Sequence, residues 1–125
     1  DDYFAFLESE RGSIATSGDY EHAFIRDGQR WHHIIDLKTG RPVQHTTAVT
    51  VICDSAFYAD AIDTALFIMG PEKALAKLPS APGPKADMLL VDKDMRLHVS
   101  PAMQQRLIMR MPLQDGALPA GNPGP

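Results

Sequence analysis

Short blocks of alternating or helically spaced apolar residues, separated by Gly, Pro and Asp, divide this chain. The small residues 15–19 predict a turn, and the alternation over residues 20–25 is typical of a strand. Asp27-Gly28 predicts a two-residue hairpin turn, because a type I′ turn needs positive φ at both central positions. The strand that returns from this turn is predicted over residues 31–35.

The middle of the chain combines a strand and two helices. Residues 46–53 carry β-branched side chains on both alternating faces, which predicts a central strand covered on both sides. A helix is predicted over residues 57–69, with Asp54-Ser55 as N-cap candidates and Gly70-Pro71 at its end. A short second helix is predicted over residues 72–78.

Two further strands, over residues 86–91 and 95–99, are predicted to form a closing hairpin joined by Asp92-Lys93-Asp94. Strands, then helices, then strands predict an α+β fold with a mainly antiparallel sheet and a helix packed on one face. Residues 1–111 are therefore expected to form one domain. The Pro- and Gly-rich residues 112–125 carry almost no apolar pattern and are expected to form a disordered tail.

Composition narrows the classes of function. A chain of 125 residues with 44% hydrophobic content is long enough for one globular core and too short for two. A net charge of −4 without a basic stripe argues against nucleic acid as a partner. The single cysteine, Cys53, excludes an internal disulfide and a cysteine-based zinc cluster. No apolar run reaches the roughly 18 residues of a membrane span. The start at Asp1, with neither Met nor a signal peptide, leads us to expect a fragment or a processed product.

The predicted helix over residues 57–69 is apolar nearly all round, and its polar residues Asp60, Asp63 and Thr64 fall within a wedge of about 100°. Two carboxylates and a hydroxyl on one face offer the hard oxygen ligands that Mg²⁺ or Ca²⁺ prefers. The same stripe also fits a helix face turned to water, since acidic residues are favoured near a helix N-terminus. The pattern by itself leaves both interpretations open.

Two adjacent histidines are the other candidates for chemistry. On a strand, His32 and His33 point to opposite faces, and either one could act as a general base near neutral pH. A hydrogen-bonded or solvent-facing histidine without a catalytic role is the alternative. The remaining histidines have no partners at ligand spacing and are interpreted as structural or exposed: His22, His45 and His98.

Two predicted turns are weaker candidates. The pattern from Asp36 to Gly40 predicts a turn in which the aspartate side chain accepts bonds from nearby backbone amides, which structure alone explains. Hydroxyls and amides of residues 16–19 could bind phosphate oxygens, although an ordinary turn explains them better. No serine nucleophile elbow and no Gly-rich phosphate loop with a lysine is present in the sequence.

Three motifs in order make the chain resemble a known family. They are Ala15-Thr16-Ser17-Gly18-Asp19-Tyr20-Glu21, then His33-Ile34-Ile35-Asp36 with Thr39-Gly40 and Pro42, then Ala59-Asp60-Ala61 with Asp63-Thr64-Ala65. The ordered set resembles the ApbE family of FAD:protein FMN transferases, to which the relative NosX belongs. The likeness runs over about residues 13–101, including a final hairpin, and covers the family's C-terminal part only.

The resemblance implies roles for individual residues. Asp60, Asp63 and Thr64 match the family's Mg²⁺ ligands. Ile34 matches a position that touches FAD, and His33 matches a histidine near the transferred phosphate, which makes it the expected base. One departure is Leu37, where many relatives carry Pro, and it affects the rigidity of the turn. The family's N-terminal half, which supplies much of the flavin pocket, is absent from this chain, so the 125 residues alone are expected to bind FAD weakly and transfer nothing.

The implied reaction is Mg²⁺-dependent transfer of FMN from FAD to a Thr or Ser hydroxyl of an acceptor protein, with release of AMP. Hydrolysis of FAD by water and a non-catalytic FAD-binding maturation role of the NosX type are the alternatives. FAD and an acceptor protein are the implied partners. The family's location implies the bacterial periplasm, at the outer face of the inner membrane, with membrane association only through an N-terminal anchor missing from this chain.

Overall fold

A computed structural model describes residues 3–9 and 12–118 of this chain. Their strands are β1 (Ala5–Leu7), β2 (Ser13–Gly18), β3 (Phe24–Arg26), β4 (Gln29–Trp31), β5 (Ile35–Asp36), β6 (Arg41–Pro42), β7 (Thr46–Cys53), β8 (Ala86–Asp92), β9 (Leu97–Val99) and β10 (Leu107–Met109). Their helices are α1 (Ala56–Met69), α2 (Pro71–Lys77) and α3 (Pro101–Arg106), with a 3-10 turn at Leu78–Ser80. The predicted α+β class is confirmed, and within these residues no helix is long and apolar enough to cross a membrane.

A four-stranded antiparallel sheet in the order β2-β7-β8-β9 forms the centre of the fold. The predicted central strand is confirmed with its bounds, since β7 spans Thr46–Cys53 and lies between β2 and β8. Side chains that point to opposite faces of β7, such as Val51 and Ile52, are both buried. The β-branched run therefore marks a strand covered on both faces.

Helix α1 covers one face of this sheet, as predicted. It begins one residue earlier than expected, after the N-cap Ser55, whose hydroxyl accepts a hydrogen bond from the Tyr58 amide. It ends at Gly70, whose φ of 79° suits glycine, and Pro71 then starts α2. Buried apolar side chains fill the space between α1 and the sheet: Val49, Val51, Ala59, Leu66, Phe67 and Leu90.

The other face of the sheet packs against elements that the sequence did not predict. The ribbon of β1 with β10 and the helix α3 lie there, around a second apolar cluster that includes Met103 and Leu118. Leu118 is buried, and its amide donates to the Met95 carbonyl at 2.8 Å. Contacts of the domain thus extend past the predicted boundary at residue 111, through the side chain and the amide of Leu118, and the disorder of the tail stays a prediction. Residues 119–125 of the predicted tail lie outside the described residues.

The first motif is a strand rather than the predicted turn. Residues 15–19 mostly belong to β2, because their backbone pairs with β7 over the whole length from Ser13↔Cys53 to Gly18↔Ala48. Small side chains were interpreted as turn formers, but here they let the strand lie close under α1. A turn does follow, over residues 19–22.

The hairpin after this turn is shorter than predicted. The turn at Asp27-Gly28 is confirmed, with φ of 54° and 74°. Its strands, however, span only Phe24–Arg26 and Gln29–Trp31 instead of residues 20–25 and 31–35. The return strand ends at Trp31 because the next peptide groups bond inside the protein instead of along a ladder, as the Ile34 amide does with the His32 ring.

The predicted hairpin of β8 and β9 is confirmed, and Asp92 closes it. One oxygen of Asp92 accepts from the amides of Asp94 and Arg96, at 2.9 and 3.0 Å, and the other bonds His98 Nε2 at 2.8 Å. Burial raises the pKa of this carboxyl, but the His98 ring and the two amides outweigh it, so the pKa lies below its ordinary value.

We expect Asp92→Asn to lower the free energy of unfolding by about 1–3 kcal/mol at neutral pH, because bonds to an ionised acceptor are lost. The lowered pKa in the folded state means that this stabilisation is present above the ordinary value of 3.8 and is lost as pH falls through the lower folded pKa. Denaturant unfolding between about pH 7 and pH 2 measures both effects. Asp94→Asn, an exposed carboxylate in the same turn, is the control and should change stability by less than about 0.5 kcal/mol. Equal effects of the two variants would contradict the assignment.

Candidate functional site

The three polar residues of α1 differ in environment. Asp63 is only 1% exposed, Thr64 is half-buried, and Asp60 is exposed one turn earlier on the helix. A water-facing stripe would leave all three in solvent, and Asp63 does not fit that description. The structure thus buries the middle of the stripe against the sheet.

A chain of hydrogen bonds joins Asp63 to β2. The Thr64 hydroxyl donates to Asp63 Oδ1 at 3.1 Å, and the Ser17 hydroxyl lies 3.1 Å from the Thr64 hydroxyl. The Ser17 hydroxyl thus bonds Thr64, and it also lies close enough to the Asp63 carboxylate to lower the pKa of that group. A lone pair of the Thr64 oxygen remains beside the carboxylate.

Burial raises the pKa of Asp63, and the negative charge of Asp60 adds to this effect. Hydrogen bonds from Ser17 and Thr64 lower the pKa but do not cancel the burial. No salt bridge to Asp63 exists among the described residues. The carboxylate therefore lies between helix α1 and strand β2 with no cationic partner from residues 3–9 and 12–118.

The donor set of the site fits a hard divalent cation. Asp63, Thr64 and Asp60 offer carboxylate and hydroxyl oxygens, and Mg²⁺ usually takes one or two carboxylates together with water and substrate phosphates. Over residues 3–9 and 12–118, no three His, Cys, Asp or Glu side chains form a group that could hold a metal ion. The remaining coordination positions are thus open to water, phosphate oxygens, backbone carbonyls or a segment outside these residues.

His32 is a structural residue. It is buried, its Nε2–H donates to the Val43 carbonyl at 2.8 Å, and its Nδ1 accepts from the Ile34 amide at 3.3 Å. Its ring meets Phe67 of α1 edge-on, with centroids 5.9 Å apart. Both nitrogens are used, and the contact fixes this segment beside α1, one helical turn after Asp63.

His33 points the other way and is exposed. Its Nδ1 lies 3.2 Å from the Glu21 carbonyl oxygen, which can only accept, so Nδ1 carries the proton. The lone pair is then on Nε2, which has no bonding partner among the described residues. Of the two histidines that the sequence left open, His33 is therefore the one with a ring nitrogen that makes no hydrogen bond to the described residues.

Ile34 is buried in the cluster under α1. Its amide donates to His32, and its carbonyl accepts from the Val43 amide at 3.1 Å. The predicted turn after it is confirmed, since Asp36 Oδ1 accepts from the Lys38 amide at 2.9 Å. The contact of Ile34 with FAD stays a prediction, and the visible role of this residue is to anchor the histidine segment in the core.

Two polar contacts of the first motif are not predicted by the sequence. Ser17 was assigned to a turn, and only its position on β2 opposite α1 brings it to Thr64, 47 residues away. Asp19 is also partly buried, and its pKa is raised by burial although the salt bridge to Arg30 at 3.2 Å and the nearby His32 lower it. A strand assignment for residues 13–18, with Ala15 and Ser17 on one face, would have pointed to Ser17.

A cavity beside the sheet lies elsewhere. It has a volume of about 1000 Å³ and is lined by residues that include Cys53, Lys85 and Arg106. Cys53 pairs with Ser13, whereas the polar site lies where Ser17 pairs with Val49. The cavity is therefore at the other end of β2, and the chemistry of the site does not depend on it.

Comparisons with known proteins agree with the motifs. The model of the ApbE family matches residues 1–87. The chain is 52% identical over 71 residues to the FAD:protein FMN transferase of Escherichia coli (strain K12), covering 56% of this chain and 20% of that protein. It is 42% identical over 97 residues to the FAD:protein FMN transferase of Treponema pallidum (strain Nichols), covering 76% and 26%.

A solved structure gives the same result. The crystal structure of the ApbE protein from Thermotoga maritima matches with a TM-score of 0.72 and 36% identity, covering 80% of this chain and 32% of that chain. This chain thus spans about a fifth to a third of the length of these relatives.

The burial of Asp63 makes a prediction about metal-free protein. Because its pKa is raised in the folded state, the native state loses stability as pH rises from the ordinary value of 3.8 through the raised pKa. Asp63→Asn removes this loss, so the unfolding free energy of the variant minus that of the wild type should increase from about pH 3 to pH 7. Thermal unfolding in the presence of a chelator measures it.

Asp60→Asn is the matched control, an exposed carboxylate on the same helix, and should give a clearly smaller increase because it acts only through its charge on Asp63. If the difference in unfolding free energy between Asp63→Asn and the wild type stays constant over this pH range, burial of the ionised carboxylate does not destabilise the fold.

Proposed function

This chain belongs to the ApbE family, and we propose that it carries the metal-binding and proton-accepting part of an enzyme that transfers FMN from FAD to an acceptor protein. The acceptor group would be a Thr or Ser hydroxyl, and AMP would be the leaving group. The observation that carries the proposal is the buried Asp63 carboxylate beside the half-buried Thr64, with hydrogen bonds to Thr64 and Ser17 and no salt bridge to any residue that the structure describes. Relatives named FAD:protein FMN transferase supply the reaction.

Asp63, Thr64 and Asp60 would hold Mg²⁺, through carboxylate oxygens and the free lone pair of the Thr64 hydroxyl. When bound, Mg²⁺ neutralises charge on the FAD diphosphate. Its remaining ligands would then include phosphate oxygens, which agrees with the small number of ligands that the described residues provide. The buried carboxylate is held in one orientation before any ligand binds, since the hydroxyl chain fixes it.

His33 would be the general base. Its Nε2 lone pair faces solvent, while Nδ1–H is held by the Glu21 carbonyl. Nε2 would take the proton of the acceptor hydroxyl as the oxygen forms a bond to the phosphorus of the FMN half. The bond from this phosphorus to the bridging oxygen breaks, and AMP leaves with that oxygen and its electron pair. His32 supports the arrangement, because its bonds in the core keep the segment beside α1.

We also propose that this reaction takes place at the outer face of the bacterial inner membrane. This location rests on the family resemblance of the three motifs, and the composition of the chain adds nothing to it. The acceptor protein is expected to present its hydroxyl to the exposed side of His33.

Thr64→Val should weaken Mg²⁺ activation, since valine keeps the shape of threonine and removes the ligand oxygen. We expect at least about a 10-fold rise in the Mg²⁺ concentration for half-maximal transfer in the intact protein, measured by FMN attachment to an acceptor. Thr50→Val is the matched control, because its hydroxyl bonds Thr16 away from α1. An identical Mg²⁺ dependence in wild type and Thr64→Val would exclude Thr64 as a ligand.

His33→Asn should lower kcat for transfer by about 100-fold or more, with the KM for FAD little changed, because the variant loses only the base. His45→Asn, which replaces an exposed imidazole outside the site, is the control and should retain activity. Release of AMP is followed together with FMN attachment. AMP without attachment would identify hydrolysis of FAD, and bound FAD without AMP would identify a binding role only, and both results would contradict the proposal.

A further inference from the structure

The turn between β2 and β3 contacts His33 in two places. The Glu21 carbonyl accepts the Nδ1–H of His33 at 3.2 Å. The ring of His22 meets the ring of His33 edge-on, with centroids 5.9 Å apart and planes at 87°. The same turn is tied to the sheet, since the Asp19 amide donates to the Thr47 carbonyl at 2.9 Å. Both contacts with His33 therefore come from a turn whose first residue, Asp19, is hydrogen-bonded to the sheet.

The backbone of His22 is left-handed, with φ of 47°. This angle sets the plane of the Glu21–His22 peptide relative to the chain that follows, so together with ψ of Glu21 it fixes the direction of the Glu21 carbonyl oxygen towards His33. Non-glycine residues adopt such a φ at a cost, and Asn, Asp and His tolerate it better than most, whereas β-branched residues are outliers. His22 thus supplies both the orientation of the carbonyl and the ring that packs on His33.

We propose that His22 is a positioning residue for His33: its left-handed backbone aims the Glu21 carbonyl at Nδ1, and its ring restricts the rotation of the His33 ring. The carbonyl selects the tautomer with the proton on Nδ1, which leaves the lone pair on Nε2. Without that bond either nitrogen can carry the proton, and only part of the molecules would present a basic Nε2. The expected effect on kcat rests on the proposed function. The expected tautomer of His33 rests only on the contacts described above.

Two variants separate the backbone from the ring. His22→Val removes the ring and disfavours a positive φ, so both contacts should be lost. His22→Asn also removes the ring but tolerates the left-handed backbone, so the carbonyl bond should stay. In the intact protein, nitrogen-15 NMR of labelled histidines at about pH 8.5, where imidazoles are ordinarily neutral, reports the tautomer of His33 directly.

We expect the Nδ1–H tautomer of His33 to dominate in the wild type and in His22→Asn, and to fall to a mixture in His22→Val. For transfer, kcat should fall about 5- to 20-fold in His22→Val and less than about 3-fold in His22→Asn, with the KM for FAD unchanged in both. An unchanged tautomer of His33 in His22→Val would overturn the proposal. If the intact wild-type protein transfers no FMN, the proposed function is refuted. The NMR result would still decide the role of His22.

Discussion

The burial of the Asp63 carboxylate between α1 and β2 is the constraint around which this structure is arranged. Removing a carboxylate from water without a cation nearby costs free energy. Hydrogen bonds from hydroxyls offset only part of this cost, as the raised pKa of Asp63 indicates. An apolar side chain at position 63 would stabilise the interface between α1 and β2 more than the ionised Asp63 side chain does. A buried acid whose charge is left uncompensated by the described part of the protein is typical of a functional site, where a bound cation would supply the missing positive charge.

That burial requires a thin strand opposite the helix. Ala15 and Ser17 provide it, because large side chains on this face of β2 would push α1 away from the strand and break the contact of Ser17 with Thr64. Gly18 is also covered by the ring of Tyr20, which a Cβ atom at this position would overlap. The small residues of the first motif therefore allow β2 and α1 to approach closely, and the position of α1 in turn places its polar residues.

Residues 32–34 alternate between core and solvent, and their buried members hold the segment in place. His32 and Ile34 are anchored in the apolar cluster under α1, so the residue between them is forced outward. This arrangement gives an exposed base on a rigid support, which is how loops that carry chemistry usually gain precision. The second apolar cluster, with Met103 and Leu118, lies on the opposite face of the sheet and stabilises it without touching the site.

The sequence by itself determined the central strand, the capped helix α1, the two hairpin turns and the polar stripe of Asp60, Asp63 and Thr64. These features depend on local signals: β-branched runs, caps, positive-φ turn residues and a helical repeat, all of which act between neighbours in the chain. Only the tertiary structure decided that residues 13–18 form a strand, that Ser17 meets Thr64, and that Leu118 packs into the second apolar cluster. It also decided which histidine faces solvent with a free nitrogen. Those outcomes depend on pairing and burial between residues far apart in sequence, and no local pattern of side chains specifies such contacts.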